Sequence, residues 1–302
     1  MNLETLKLFS DIVRLHSFSR GAKSNQVTQS AASQAISQLE EGLGVKLIDR
    51  SIRPFTLTPD GQTYLTGVRT LLSEYDKLES EIKRHKTGVA GTVRVAAIYS
   101  VGLYDLSRHV RRFMSQYPQA KVRLEYLHPN KVHDAVVNEE ADMGIMSYPH
   151  ADRQVIVLPW RSEKMILACH PTHKLATRPL VSALDLEGEN FIAFDPDLPI
   201  RKAIDRSLKR AHSHVNIVME FDNIETMKQG VEINAGVSIL PEPTVRREAD
   251  GKRMVAVPLA IPELVRPLGI IHRRHKPLTI AAQRFIHLLK QSESKTATDS
   301  EL

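Results

Sequence analysis

At 302 residues, with 42% hydrophobic and 5% aromatic content, the chain carries enough apolar mass for two or three domains, each with its own core. No apolar run approaches the roughly 20 residues that a membrane span needs. The first residues include Glu4 and Asp11 instead of the basic-then-apolar plan of an export signal, and a single cysteine, Cys169, leaves no internal disulfide to form. The expected compartment is the cytoplasm, with no membrane partner, and the net charge of +6 leans toward polyanions without identifying one.

Residues 3–16 predict a helix with two apolar faces, Leu6, Phe9 and Val13 on one and Leu8, Ile12 and Leu15 on the other. A small domain has one core to fill, so the second face is expected to meet another element, such as the long helix of a partner chain. Ser17 and Ser19 are caps for a short helix over residues 19–25. Gly21 weakens that helix by about 1 kcal/mol relative to Ala, which points to close packing.

The next helix starts at Thr28, whose hydroxyl suits the free amides of the first turn. It places Ala32, Ile36, Leu39 and Leu43 on one stripe and Ser30, Ser33, Gln34, Ser37 and Glu41 opposite. The second face is short, polar and mostly uncharged, which suits base edges in a major groove because Gln and Ser both donate and accept. Taken alone, the pattern also describes an ordinary amphipathic surface helix. Gly42 and Gly44 end it, and residues 45–48 and 54–57 read as two short strands joined at Arg50 and Arg53. Two arginines at a hairpin tip reach phosphates or a narrow minor groove, or else form a solvated turn.

Thr58 and Pro59 open a long helix, a cap followed by a proline at the first helical position. Tyr64, Val68, Leu71, Tyr75, Leu78 and Ile82 recur at alternating steps of four and three as far as about Lys86. That repeat is the seam of a two-stranded coiled coil, and a helix packed on its own domain shows the same stripe; the polar remainder of the helix favours dimerisation. The small residues 87–91 make a hinge.

Past the hinge, strands at 92–98, 122–127 and 142–146 alternate with helices at 103–115 and 132–138, predicting an α/β unit with a mainly parallel sheet. Ligands in such folds bind beyond the strand carboxyl ends, where Ser100 and Ser147 fall; a hydroxyl there is equally an ordinary cap. A second group follows: strands 164–169, 191–194 and 215–220, and helices 201–211 and 224–233. Asp222 and Asn223 cap the last helix, whose first amides face whatever lies beyond the strand. Arg201 meets either an anionic ligand or Asp197 or Asp205. Strand 268–271 and helix 278–289 close the unit, and residues 291–302, without apolar pattern, predict disorder.

The order of helix-turn-helix, wing with Arg50 and Arg53, linker helix opening at LTPDG, and two-lobed α/β unit resembles the LysR-type transcriptional regulators over nearly the whole chain. SFSRGAKSNQVTQSAASQAISQLEEGLGVKLIDR carries the resemblance most specifically; GTVRVAA, EEADMGI, HPTHKLA and ETMKQGVEINAGVSILPEP support it. The resemblance implies an α/β protein with an N-terminal winged helix-turn-helix (residues 1–58), a linker helix and hinge (59–91), and a periplasmic-binding-protein-like effector domain (92–302). In that domain, lobe I covers 92–162 and 266–290, lobe II 163–265, and the tail 291–302. It also implies a homodimer or dimer of dimers on partly palindromic double-stranded promoter DNA, a small-molecule effector between the lobes, and RNA polymerase as a further partner.

By that carry-over, Gln29, Ser30, Ser33 and Gln34 face the major groove, with Thr28 and Ser37 on the same helix, Arg53 faces the minor groove and Arg50 belongs to the wing. Tyr99, Ser100, Val101, Ser147, Phe194, Arg201 and the amides of Asn223, Ile224, Glu225 and Thr226 surround the effector, which the hydroxyls and helix amino ends mark as an anion. The lobes exchange chain near residues 160–163 and 263–267. Two positions depart from the family: Ser30 stands where proline is usual, and Gln34 where arginine is frequent, so the preferred operator is expected to differ from a typical member's.

No catalytic residues, cofactor or metal are expected. Cys169, His170 and His173 offer good ligand atoms, but Pro171 constrains the turn and no second cluster completes four ligands. There is no P-loop or nucleophile elbow, and Asp195 and Asp197 form a turn instead of an acid–base pair. A solute-binding transport component shares the two-lobed architecture, yet has no use for the N-terminal unit; an enzyme would show turnover of metabolites.

Overall fold

A computed structural model describes residues 2–51, 54–87, 89–102 and 106–298, with backbone alone for residues 76, 77, 79–87 and 292–298. The chain divides near Gly91 into two compact units.

The first unit begins with three helices, α1 (Leu3–Arg14), α2 (Phe18–Ser24) and α3 (Gln29–Leu43). Each opens on a side-chain cap: Asn2, Ser17 and Thr28 accept from the amides of Thr5, Arg20 and Ala31, respectively. Gly44 closes α3 at φ 72°, the left-handed conformation that glycine adopts without strain. The short antiparallel strands β1 (Ile48–Asp49) and β2 (Thr56–Leu57) form the wing, and α4 (Pro59–Thr87) follows. Thr58 starts α4 by accepting from the Gly61 amide at 2.9 Å while its hydroxyl donates to the Lys46 carbonyl at 2.6 Å.

Phe9, Ile12, Ala32 and Ile36 are fully buried at the centre of this unit. Both faces of α1 are covered within the chain, because α1 packs on α2, α3 and α4, with the Phe9 and Tyr64 rings edge to face at 5.6 Å. The second face is thus covered inside the chain, with Ile12 against Gly21 of α2, while the first face meets the linker helix through Phe9. The α2 helix crosses α1 so closely that a Cβ on Gly21 would lie 2.5 Å from Ile12 Cγ1 and 2.8 Å from its Cα. The stripe along α4 divides in two. Val68 joins the core, together with Leu65, which the heptad pattern omits, while Leu71, Tyr75 and Leu78 are 57%, 42% and 55% exposed. The side chain of Ile82 lies outside the described residues.

The second unit runs β3 (Gly91–Ile98), α5 (Tyr99–Val101), α6 (Ser107–Gln116), β4 (Ala120–Leu127), α7 (Pro129–Val137), β5 (Met143–Ser147) and β6 (Val155–Cys169). It continues with β7 (Asn190–Phe194), α8 (Pro199–Arg210), β8 (Asn216–Phe221), α9 (Ile224–Glu232), β9 (Ser238–Pro241), α10 (Glu242–Asp250), β10 (Val255–Pro258), β11 (Val265–Arg273) and α11 (Ile280–Thr298). Residues 103–105, where the first helix of this unit was expected to begin, lie outside the description.

The sheet is mixed where a mainly parallel one was expected. Strands β3 and β5 pair in parallel, as do β7 and β8, but β11 is antiparallel to β5 and β6, and β9 and β10 are antiparallel to β6. The reason is β6, which pairs with β11 as far as Lys164 and with β9 and β10 from Met165 onward, so one long strand serves two layers. Helix α8 starts at Pro199, which supplies its first helical position. The expected disordered tail is helical as far as Thr298: no Gly or Pro interrupts QSESKTAT, and a polar run continues a helix already nucleated by the buried Phe285 and Leu289. Residues 299–302 lie outside the description. No described helix is long and apolar enough to cross a membrane.

Candidate functional site

Two surfaces gather chemically capable side chains. On α3, Gln29, Ser30 and Gln34 are exposed and Ser33 and Ser37 half-buried, opposite the buried Ala32 and Ile36. The Thr28 hydroxyl caps the Ala31 amide at 3.1 Å and lies 3.0 Å from Ser30 Oγ. Arg50 follows β1 directly. Its Nη1 donates to Ser33 Oγ at 3.1 Å and its guanidinium carbon stands 4.6 Å from the centre of the Phe18 ring. The arginine is thus laid against the helix instead of standing at a free tip, joining wing and helix into one polar surface. Arg53 lies outside the described residues.

Glu40, buried on the inner side of α3, holds the wing in place. Its Oε1 accepts from the amides of Leu47 at 2.9 Å and Ile48 at 3.1 Å, and its Oε2 pairs with Lys46 at 3.1 Å. Burial works to raise its pKa, but the two amides and the ammonium outweigh it and keep the carboxyl below its usual range.

The second surface is a cleft in the α/β unit, with a cavity volume of about 50 Å³. It lies at strand carboxyl ends: Tyr99 and Ser100 after β3, His128 after β4, Ser147 closing β5, Phe194 closing β7, and Asp222 with Asn223 after β8. Its floor is Arg266 on β11, which is 2% exposed. Arg266 Nε donates to Glu163 Oε2 at 2.8 Å, Nη2 bonds the same oxygen, and Nη1 donates to Ser100 Oγ at 2.9 Å. Arg161 takes the other oxygen of Glu163 at 2.6 Å, so the triad carries one net positive charge. Because Ser100 Oγ accepts from Arg266, its own hydrogen is left to donate to a ligand. The lip of lobe II is acidic: burial and the neighbouring Asp222, Asp197 and Glu220 push the Asp195 carboxyl above its usual range.

The fold and these surfaces have counterparts. Residues 3–62 match the model of the bacterial regulatory helix-turn-helix protein, lysR family, and residues 86–294 match the LysR substrate binding domain. The HTH-type transcriptional regulator YbhD of Escherichia coli is 30% identical over 287 residues, 95% of this chain and 90% of that protein. The chain belongs to the LysR family of transcriptional regulators. Among solved structures, a full-length OxyR variant from Pseudomonas aeruginosa shares the fold at a TM-score of 0.73 and 22% identity, covering 97% of this chain and 94% of that one. Full-length CbnR complexed with its target DNA does so at 0.69 and 18% identity, covering 97% and 100%.

In this LysR-type regulator the structure brings Tyr99, Ser100, Ser147, Phe194, Asn223 and Ile224 together around the cleft. Four other expected ligand-side positions are used elsewhere. Val101 is fully buried and does not line it. Arg201 is consumed by Asp205 at 2.9 Å, Glu220 at 2.7 Å and the Phe194 carbonyl at 2.5 Å, which leaves it an internal tie of lobe II. The Thr226 amide is already capped by Asn223 Oδ1 at 3.0 Å, and neither Glu225 nor Thr226 lines the cleft.

Sequence reading missed Arg266, His128 and the amino end of α8 at Leu198, Pro199 and Ile200. Pro199 was the available signal for the helix start, whereas nothing local marks Arg266, which reaches Ser100 across 166 positions. Cys169 is fully buried, and burial pushes its thiol up to about 11. The nearby histidines are turned to local bonds, His170 Nδ1 to Thr172 and His173 Nδ1 to the Leu175 amide.

Proposed function

We propose that this regulator binds a partly palindromic promoter site through α3 and the wing, as a homodimer or dimer of dimers. A small anionic metabolite in the interlobe cleft modulates that binding. The observation that carries the reading is the continuous polar surface made by Gln29, Ser30, Ser33 and Gln34 with Arg50 stacked beside them. Such a surface reads base edges mainly through neutral hydrogen bonds and takes affinity from the wing and from a second copy. Arg53 is assigned to the minor groove. CbnR, solved with its target DNA, supports the DNA-bound assignment by its fold.

In the cleft, the ligand's anionic group rests on the Ser100 hydroxyl above Arg266, with Ser147 and the Ile224 amide beside it. The acidic lip at Asp222 and Asp195 favours a hydrogen-bond donor at the ligand's other end. The protein acts in the cytoplasm, with RNA polymerase as a further contact, and the switch requires neither turnover nor a cofactor.

The test is selection of genomic fragments on purified full-length protein, followed by anisotropy titration. The enriched site is expected to bind at least about 10³-fold tighter than scrambled DNA; equal affinity for both overturns the reading. A thermal-shift screen of organic and inorganic anions is expected to yield a stabilising compound for the native protein and no shift for Ser100→Ala.

A further inference from the structure

Away from the cleft and the α3 face, the fold assembles three ligating side chains that are scattered in the sequence. His133 lies on α7, and His150 and Asp152 lie in the segment between β5 and β6; one ligand atom from each falls within 4.8 Å of the others. The His133 and His150 rings are stacked, with centroids 5.9 Å apart and planes at 9°. His133 Nε2 is 2.9 Å from Asp152 Oδ2.

The surrounding bonds leave the Asp152 carboxylate free to face the histidines. Asp152 Oδ1 is occupied by the amides of Gln154 at 2.7 Å and Val155 at 2.8 Å, which leaves Oδ2 to face the histidines. Behind His133, Nδ1 is 3.8 Å from Asp134 Oδ1, beyond hydrogen-bond distance but close enough for its charge to favour a bound cation. Arg274 donates to the Asp152 carbonyl at 2.9 Å and not to its carboxylate. Ligand atoms around a tetrahedral zinc ion stand about 3.4 Å apart, so small side-chain rotations close the cage.

The geometry points to a divalent transition-metal site formed by His133 Nε2, His150 and Asp152 Oδ2, with zinc the ion that best fits two imidazoles and a carboxylate. A fourth position remains for water or another ligand. Two nitrogen donors disfavour magnesium and calcium, which take oxygen. The ion clasps α7 to the segment that leaves Ser147, and so fixes one wall of the cleft. Without an ion, the same residues form only a hydrogen-bonded clasp between His133 and Asp152.

The test uses tag-free full-length protein, stripped with chelator, equilibrated with zinc and measured for metal content and affinity. One zinc per chain is expected, with affinity reduced by roughly 10- to 100-fold or more in His150→Ala. A His170→Ala/His173→Ala double variant is expected to retain the native stoichiometry. Cobalt is expected to give the absorption of a tetrahedral site and to broaden the His133 and His150 ring resonances of the native protein, a readout that needs no variant. Failure of the native protein to retain zinc, or equal zinc affinity in native and His150→Ala proteins, overturns the site.

Discussion

Arg50 Nη1 and Ser33 Oγ are 3.1 Å apart, a hydrogen bond between the wing and the middle of α3. It fixes the arginine where its charge lies along the polar helix face, with the Phe18 ring as a second support. Arg50→Ala is expected to weaken DNA binding and lower the slope of log affinity against log salt by about 1, the mark of one lost phosphate contact. Ser33→Ala is expected to be non-additive with it, since each loses the same bond. Anisotropy titrations across a salt series, on both singles and the double variant, measure this. An unchanged slope in Arg50→Ala would place the wing away from the phosphates.

Glu40 is expected to be the largest single polar contributor to the wing. Glu40→Ala leaves the buried Leu47 and Ile48 amides without their acceptor, at a cost of roughly 2 to 4 kcal/mol for the pair. The sign of the pH effect follows from its lowered pKa. Its stabilisation is fully present above the unfolded carboxyl pKa of about 4.3 and is lost as pH falls through the lower folded value. Glu40→Gln is therefore expected to flatten the acid limb of stability below about pH 4. Urea denaturation of the first unit's signal at several pH values checks both statements.

Gly21→Ala sets two opposing terms against each other. Alanine gains about 1 kcal/mol of helix propensity, while its methyl group meets the Ile12 backbone at 2.8 Å. Backbone cannot rotate aside as a side chain can, so the overpacking cost of about 1 to 3 kcal/mol prevails and the variant is expected to be less stable. A raised midpoint of thermal unfolding would contradict the close crossing of α1 and α2.

Arg266 and Ser100 separate folding from ligand response. Removing the guanidinium strands the buried Glu163 with Arg161 alone, so Arg266→Gln is expected to cost about 3 to 5 kcal/mol. Ser100→Ala removes one bond at the cleft surface and is expected to change stability by about 1 kcal/mol while abolishing a ligand-induced thermal shift. Denaturation curves and thermal shifts on the two variants distinguish these outcomes.

Leu71 and Leu78 are exposed on α4 in the single chain. Leu71→Asp/Leu78→Asp is expected to leave the fold intact and to dissociate the dimer. Sedimentation velocity at micromolar concentration decides it: a surviving dimer would remove α4 as the seam.

The amino-terminal unit was readable because its signals are local. Asn2 went unnoticed as a cap, but Ser17, Thr28, Gly44 and Thr58 each mark a boundary within a few residues of where it occurs. The fate of α1 was not readable, since only the packed fold shows that both faces are covered within the chain, Ile12 by α2 and Phe9 by Tyr64 of α4. The cleft divides in the same way. Ser100, Ser147 and Asn223 stand at strand and helix ends and announce themselves, whereas Arg266 becomes a floor residue only through the pairing of β11 with β6, which sets it opposite Glu163. Arg201 misleads for the converse reason: its partners Asp205 and Glu220 lie 4 and 19 positions away, and it is spent on them. The set of His133, His150 and Asp152 has no motif spacing at all, and only the packing of α7 beside β5 and the segment after it brings the three together.

Strand β6 is one continuous piece of backbone from Val155 to Cys169, hydrogen-bonded to one layer before Lys164 and to the other after it. A strand bends easily out of its sheet and resists shear within it. The change of layer falls between Lys164 and Met165, next to the paired Glu163 and Arg266. The proposed ligand, resting on Ser100 above Arg266, would therefore sit beside the one place where β6 changes layers.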